Sequence, residues 1–345
     1  MADMETSRYF SKKRLVWMGH DCWGYLYKGT SNDDEVLERA AKHLLTLAIV
    51  DPINGPAVGA ALTSPDQITA TLASGRWVDQ GLPVFRLGHK RIAALMATHT
   101  PVELADQIKA PFKAFFIEMP PGLLHLEDSE SKTMLEVKGI IVQNLYYTRA
   151  LYGVTQINKP IWSWMAVTDT RVIQWQVNRS TELLCSEGVS RSHPAVEGLD
   201  RLVGAFNLEM NDYDHRVTDL INRLICSICL LFTGHHGEIS ERKEVHREKG
   251  KKLRSKNPPE FRVFTMSSPV SVDVRPALRE YLSGHRSTSP SVQFLVRGHW
   301  RNQAHGEQRL LRKLLWIEPF WKGPDGALVA SKAYTTKEVV SNGTR

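Results

Sequence analysis

The residues best suited to chemistry lie in one short stretch near the C-terminus, "FLVRGHWRNQAHG", which runs from Phe294 to Gly306. It places two arginines, two histidines and a tryptophan within thirteen residues that begin like a buried β-strand. We predict a strand from Val292 to Trp300, and side chains on a strand alternate between its two faces. One face would then be basic and carry an imidazole. Its residues are Gln293, Leu295, Arg297, His299 and Arg301.

The stretch that follows, "RLLRKLLWIEPFWKG", predicts a returning strand from Leu310 to Phe320, and therefore a closing β-hairpin. Aromatic side chains beside cations bind single-stranded nucleic acid by stacking on bases and neutralising phosphates. Peptide-binding grooves use the same combination. The predicted binding residues are Arg297, His299, Trp300, Arg301, Arg312, Trp316 and Trp321.

Two other interpretations of these residues stay open. Large aromatic side chains are often buried, so Trp300, Trp316 and Trp321 can instead close the core, with His299 bonded to a backbone carbonyl. A pair of histidines can also supply the acid and the base of RNA cleavage, here His299 and His305. The sequence orients neither imidazole, so a binding surface, a core and a ribonuclease site are all compatible with it.

Motifs for other chemistries are missing from the sequence. It contains no Gly-x-Ser-x-Gly nucleophile turn, P-loop or dinucleotide fingerprint, so we predict no catalytic residues and no cofactor. Cys226, Cys229, His235 and His236 are zinc-ligand types. However, both cysteines lie inside the apolar run "LICSICLLF", and no second ligand pair follows at finger spacing. We therefore predict core cysteines, no metal site, and a protein that binds rather than catalyses.

The positive charge is concentrated in the last third of the chain. Residues 1–237 hold 23 Lys and Arg against 26 Asp and Glu, whereas residues 238–345 hold 21 against 11. Such an asymmetry indicates a polyanion, or an acidic protein surface, as the partner of the C-terminal third. The alternative is that "ERKEVHREKGKKLRSKNPP", residues 241–259, is only a solvated basic loop.

The order of predicted elements indicates an α+β fold, because helices come first and an antiparallel sheet packed with helices follows. We predict a mostly helical N-terminal region over residues 1–110. An α+β domain over residues 111–323 contains the basic segment 241–259 and the closing hairpin. Residues 324–345 form a disordered tail in this scheme.

Within that scheme, a few elements must position the closing hairpin. The longest helix is predicted from Asp212 to Gly234, a strand from Phe261 to Met266, and a short helix from Arg275 to Ser283. A β-hairpin is predicted from Ile161–Thr168 and Arg171–Asn178. A Thr-x-x-Glu capping box predicts a further helix starting at Thr100-Pro101.

The compartment follows from composition. No run of about 18 apolar residues occurs, and the first residues lack the basic and then apolar layout of a secretory signal. The four cysteines form no disulfide framework. We expect a cytoplasmic protein with no membrane partner.

Two segments, "VRGHWRNQAHG" and "LLRKLLWIEPFWKG", together resemble the C-terminus of a family of phage and plasmid proteins that includes type V-A anti-CRISPR proteins. Arg297, Gly298, His299, Trp300 and Gly306 carry the resemblance. It is specific over about the last 60 residues before the tail. The order of elements extends it back to about Asp212, but it does not reach residues 1–200.

The resemblance implies an accessory protein of a mobile element that lowers production of a defence nuclease. In this family the implied partner is the N-terminal part of the nascent nuclease on ribosomes, with RNA as a further partner, and recognition is coupled to loss of the message. No catalytic residues are assigned in such proteins. A general RNA- or DNA-binding protein is the alternative, and its affinity would fall steeply with salt.

Overall fold

A computed structural model describes ten ranges of the chain and four isolated positions. The described residues are 73–127, 132–147, 157–168, 172–178, 181–185, 212–234, 239–245, 260–284, 293–322 and 329–330, with residues 29, 35, 36 and 39. Their mixture of sheets packed with helices confirms the predicted α+β class. Apart from those four positions, residues 1–72 of the predicted helical N-terminal region lie outside the described residues.

The described residues contain fifteen strands, labelled here in chain order. They are β1 Pro83–Arg86, β2 Thr98–His99, β3 Ala114–Glu118, β4 His125–Glu127, β5 Met134–Glu136, β6 Gly139–Tyr147, β7 Ile157–Val167, β8 Val172–Asn178, β9 Ile239–Val245, β10 Glu260–Met266, β11 Gln293–Val296, β12 Gly298–His305, β13 Leu311–Ile317, β14 Phe320–Lys322 and β15 Val329–Ala330. The helices are α1 His89–Met96, α2 Thr181–Cys185, α3 Asp212–Gly234 and α4 Arg275–Ser283, with 3-10 turns at Val102–Gln107 and Glu307–Arg309. Residues 73–79 are also helical.

Seven strands form the main sheet, in the order β8-β7-β6-β3-β1-β10-β9. The short strand β1 lies near its centre and runs parallel to both of its neighbours, while the other pairs are antiparallel. The sequence did not predict β1. Its four residues are too few to show a period, and its pairing partners are distant in the chain.

The sheet is covered on both faces. One face packs on helical residues 73–79, with Trp77 stacked on Phe116 at a ring-centre distance of 5.3 Å. The other face packs on α1 and α3. Every residue of α3 from Val217 to Leu231 is buried, so this helix lies inside the core and has no solvent-facing side over that length.

Helix α3 is long and apolar enough to cross a membrane by length and composition, but 78% of that window is buried inside the protein. It also carries polar side chains with partners in the fold. Arg223 Nη2 lies 2.6 Å from Asp219 Oδ2, and the Tyr281 hydroxyl donates to the same carboxylate at 2.9 Å. Burial beside Asp219 raises the pKa of that hydroxyl. The Trp164 indole donates to Asn222 Oδ1 at 2.9 Å. The Tyr281 bond fixes α3 against α4, and the Trp164 bond fixes it against the sheet.

The predicted helix 212–234, the helix 275–283 and the antiparallel pairing of β7 with β8 are confirmed. Two predictions need correction. The turn after Thr100 is a 3-10 helix, and no side chain caps it. The structure has two strands, in two different sheets, where one strand from Val292 to Trp300 was expected, because strand pairing is interrupted at Arg297.

The basic segment 241–259 begins as a β-strand and not as a loop. Its first five residues belong to β9, the end strand of the main sheet, while residues 246–259 lie outside the described part. Arg262 on β10 donates to Glu241 at 2.7 Å and lowers the pKa of that carboxyl. Charged side chains along an end strand discourage edge-to-edge aggregation, so pairing and solubility account for this part of the segment.

Candidate functional site

The closing hairpin is present, but its first strand is shifted toward the C-terminus and its second strand is shorter than predicted. Strand β12 pairs antiparallel with β13 and parallel with β2, and a turn at residues 306–310 joins β12 to β13. Strand β12 therefore continues five residues beyond Trp300, where the predicted strand ended. Strands β14, β11 and β15 form a separate small sheet, in which Val329 and Ala330 of the predicted tail pair with β11.

One face of the hairpin, the inner face, is attached to the core. Trp300 and Trp316 are directly opposite in the register and stack at a ring-centre distance of 6.4 Å. Trp300 is only 3% exposed, and its indole nitrogen lies 3.5 Å from Ser227 Oγ on α3. Trp300 is therefore a core residue, one of the possibilities left open by its sequence.

Trp316 joins the hairpin to α1 and β2. Its indole donates to Thr98 Oγ1 at 3.1 Å, and the Arg91 guanidinium carbon lies 5.5 Å from its ring centre. Arg91 also donates to Ser268 Oγ at 2.8 Å. This tryptophan is half-buried and is held by a hydrogen bond and a cation–π contact. Trp321 is half-buried too and packs against the main core opposite Leu295.

Gly298 permits the close approach of β12 to β2. A Cβ atom built on Gly298 would lie 2.5 Å from Thr98 Oγ1, 2.9 Å from Pro319 Cδ and 3.1 Å from the Ile317 carbonyl oxygen. These distances are shorter than van der Waals contact. Any larger residue would force β12 away from its parallel neighbour.

We expect Gly298→Ala to lower the free energy of unfolding by about 1–3 kcal/mol, the usual cost of forcing extra atoms into a packed site. Urea unfolding followed by circular dichroism measures it. Gly88→Ala is the steric control, because its added Cβ would meet no atom within 4 Å, and it should cost no more than about 1 kcal/mol through the N-cap position that Gly88 occupies. Equal stability of the two variants would contradict the close contact.

The other face of the hairpin, the outer face, has polar residues on β12 and mostly aliphatic residues on β13. It consists of His299, Arg301, Gln303 and His305 on β12, with Ile317, Leu315, Lys313 and Leu311 opposite them on β13. Arg301, His305 and Lys313 are exposed, as is Leu311 at 58%. The hairpin from Gly298 to Ile317 contains four Lys and Arg and a single acidic residue, Glu307. The outer face is therefore basic and partly apolar.

Parallel pairing of β2 with β12 places His99 directly beside His299, and both imidazoles are half-buried. Laterally paired residues share a face, so His99 belongs to the outer face as well. The sequence did not indicate His99. No local pattern could have found it, because the two histidines are 200 positions apart and meet only through this two-residue pairing.

His299 and His305 also share the outer face, but they do not form a pair. They are six positions apart on the β-strand, which corresponds to about 20 Å along it. One phosphodiester cannot contact both imidazoles at that separation. The geometry thus removes the acid–base pair on which the ribonuclease interpretation depended.

The remaining predicted binding residues are dispersed. Arg301 is exposed on the outer face, while Arg312, also exposed, belongs to the inner face beyond the tryptophan pair. Arg297 lies between β11 and β12. Its charge acts to lower the pKa of Tyr281, whose hydroxyl donates to Asp219 on α3. The structure therefore brings His299 and Arg301 together and separates them from Trp300, Trp316 and Trp321.

The two cysteines predicted to lie in the core do so. Cys226 and Cys229 are completely buried in α3, and burial raises the pKa of both thiols. The Cys226 sulfur lies 3.8 Å from that of Cys185 on α2. Within the residues that the structure describes, no group of three or more His, Cys, Asp or Glu side chains is arranged to hold a metal ion. His235 and His236 lie outside those residues.

Comparison with known proteins identifies the class. Residues 85–323, which include the whole hairpin, match the anti-CRISPR type V subtype A2 family. The chain belongs to this AcrVA2-like family of anti-CRISPR proteins.

One solved structure similar to this chain is described as the crystal structure of AcrVA2. The two chains are 11% identical, with a TM-score of 0.41, and the match covers 89% of this chain and 97% of that one. No curated protein matches the sequence.

Proposed function

We propose that this protein is an anti-defence protein of a mobile element, acting in the cytoplasm of a bacterial host. It lowers production of a type V effector nuclease by recognising the nascent polypeptide of that nuclease. Family membership over residues 85–323 is the observation that carries the proposal, because it makes the type V defence system the relevant target. The recognition region is the C-terminal part, where the basic and exposed outer face lies.

The arrangement of aromatic residues favours a polypeptide over single-stranded nucleic acid. Stacking on bases requires exposed aromatic rings beside the cations. In the hairpin, Trp300 is buried and Trp316 belongs to the inner face, so the outer face presents cations beside aliphatic side chains. A general nucleic-acid-binding function remains the second candidate, supported by the positive charge of residues 238–345.

Co-expression in a bacterium tests the proposal. The protein is produced together with a type V-A nuclease, its guide RNA and a targeted plasmid. We expect lower nuclease on immunoblots, less nuclease message by quantitative reverse transcription, and survival of the targeted plasmid. Unchanged nuclease levels would contradict the proposal, even if the plasmid survived, because they would indicate direct inhibition of the mature enzyme.

A recoded nuclease gene supplies the control for polypeptide recognition. Synonymous codons change the message and leave the polypeptide identical. If the nascent chain is recognised, the recoded nuclease should be lowered as strongly as the original. Loss of the effect on recoding would show that the RNA sequence is read, and the second candidate would then replace the first.

A further inference from the structure

We propose that the outer face of the β12–β13 hairpin is the docking surface for a polypeptide segment rich in acidic and aliphatic side chains. This inference rests on the proposed function and names the kind of segment that is recognised. It also locates the contact on one defined face, whose exposed members are Arg301, His305, Leu311 and Lys313.

Charge complementarity gives the first argument. Arg301 and Lys313 are exposed on the outer face, at neighbouring cross-strand positions, about 7–8 Å apart by the spacing of diagonal pairs. All eight β12 and β13 residues of the outer face lack a carboxylate, and the only acidic residue of the hairpin is Glu307 in the turn. Two cations whose backbone positions have that spacing suit two carboxylates of one segment.

The aliphatic side chains give the second argument. Leu310 in the turn is 76% exposed and Leu311 is 58% exposed, although large aliphatic residues are usually buried. Leu315 and Ile317 continue the apolar row along β13 and are half-buried. Phosphates and ribose gain little from contact with such a row. Aliphatic side chains of a polypeptide gain about 25 cal/mol for each Å² of apolar surface that is removed from water.

Mixed cations and aliphatic groups therefore indicate a protein segment as the occupant of the outer face. The tryptophans cannot provide the stacking surface that RNA would need there, since their rings belong to the inner face. Within the part of the chain that the structure describes, β13 is also the end strand of its sheet, so an extended segment can lie alongside it.

Peptide binding with matched charge reversals tests the proposal. Overlapping synthetic peptides that span a type V-A nuclease are titrated with the purified full-length chain by fluorescence anisotropy, and oligouridylate serves as the RNA probe. Lys313→Glu and Arg301→Glu alter the outer face. Arg312→Glu makes the same kind of charge change one residue away, on the opposite face. Circular dichroism confirms that each variant is folded, and Lys313→Gln replaces Lys313→Glu if that variant is not.

We expect at least one acidic and aliphatic peptide to bind, and Lys313→Glu and Arg301→Glu to raise its Kd about tenfold or more. Arg312→Glu should raise it less than about threefold, because only long-range attraction is lost. The proposal is overturned if no peptide binds, or if the three reversals weaken binding equally. It is also overturned if oligouridylate binds more tightly than every peptide.

The cellular assay separates this inference from the proposed function. If Lys313→Glu lowers the nuclease as strongly as the unchanged chain, the outer face is not the docking surface and the proposed function still stands. If the unchanged chain fails to lower the nuclease, the proposed function fails, and the peptide titration decides the docking surface independently.

Discussion

Trp300→Ala is expected to lower the free energy of unfolding by about 3–5 kcal/mol, the usual loss for a buried tryptophan. The ring is 3% exposed, stacks on Trp316 and lies against Ser227 on the central helix. Truncation would leave a cavity between the hairpin and α3 that neither element can fill without shifting. Chemical unfolding followed by tryptophan fluorescence and circular dichroism measures the loss.

Arg301→Ala, at the next residue, is the matched control and should change the free energy by no more than about 0.5 kcal/mol, since Arg301 is exposed. The loss of unfolding free energy in Trp300→Phe should lie between those of Trp300→Ala and Arg301→Ala, because Phe keeps a ring in the site and removes only part of the contact. If Trp300→Ala were as stable as Arg301→Ala, the hairpin would not be anchored through this residue. Loss of partner capture in Trp300→Ala would therefore report on folding rather than on contact with the partner.

Asp219→Ala is expected to lower the free energy of unfolding by about 3–5 kcal/mol, because it removes the carboxylate beside the buried Arg223 guanidinium. Both side chains are less than 10% exposed, and their closest atoms are 2.6 Å apart. The Tyr281 hydroxyl on α4 would lose its acceptor at the same time. Denaturant unfolding at neutral pH measures the effect, with the thermal midpoint as a second reading.

The double substitution Asp219→Leu with Arg223→Met is the control for this interpretation. It removes both charges and fills the space with aliphatic atoms. It should recover most of the stability lost by Asp219→Ala, since replacing a buried ion pair with apolar residues is often neutral. A double variant as unstable as the single one would show that the loss comes from the missing hydrogen bond between Tyr281 on α4 and Asp219 on α3, and not from the buried Arg223 charge.

Helix α3 could be predicted to its last residue because its evidence is local. Apolar residues recur with the helical period, Asp212 begins the run and Gly234 ends it. The same holds for α4, whose range Arg275–Ser283 matches its prediction, and for the β7–β8 pair. A periodic pattern predicts a helix or strand without knowledge of the elements that pack against it. The side chains that face the core are themselves the ones that recur with the period.

The hairpin could be predicted only in part from local sequence patterns. Its antiparallel strands and the shared face of His299 and Arg301 were predictable, but the extent of that face was not, because the prediction assumed one strand through Arg297. The break at that residue assigns β11 and β12 to different sheets. The rings of Trp300 and Trp316 meet Ser227 and Thr98, which are far away in the chain. Whether a tryptophan is a binding residue or a core residue depends on such contacts.

The sequence by itself therefore determined the α+β class, the main helices, the basic C-terminal third and the motif that carries the family resemblance. Only the tertiary structure decided which motif residues are structural and which are available to a partner. It buried Gly298 and Trp300, exposed Arg301, and placed His99 beside His299. The physical reason is that exposure depends on pairing between strands about 200 residues apart, and a linear pattern carries no information about which distant backbone completes a sheet.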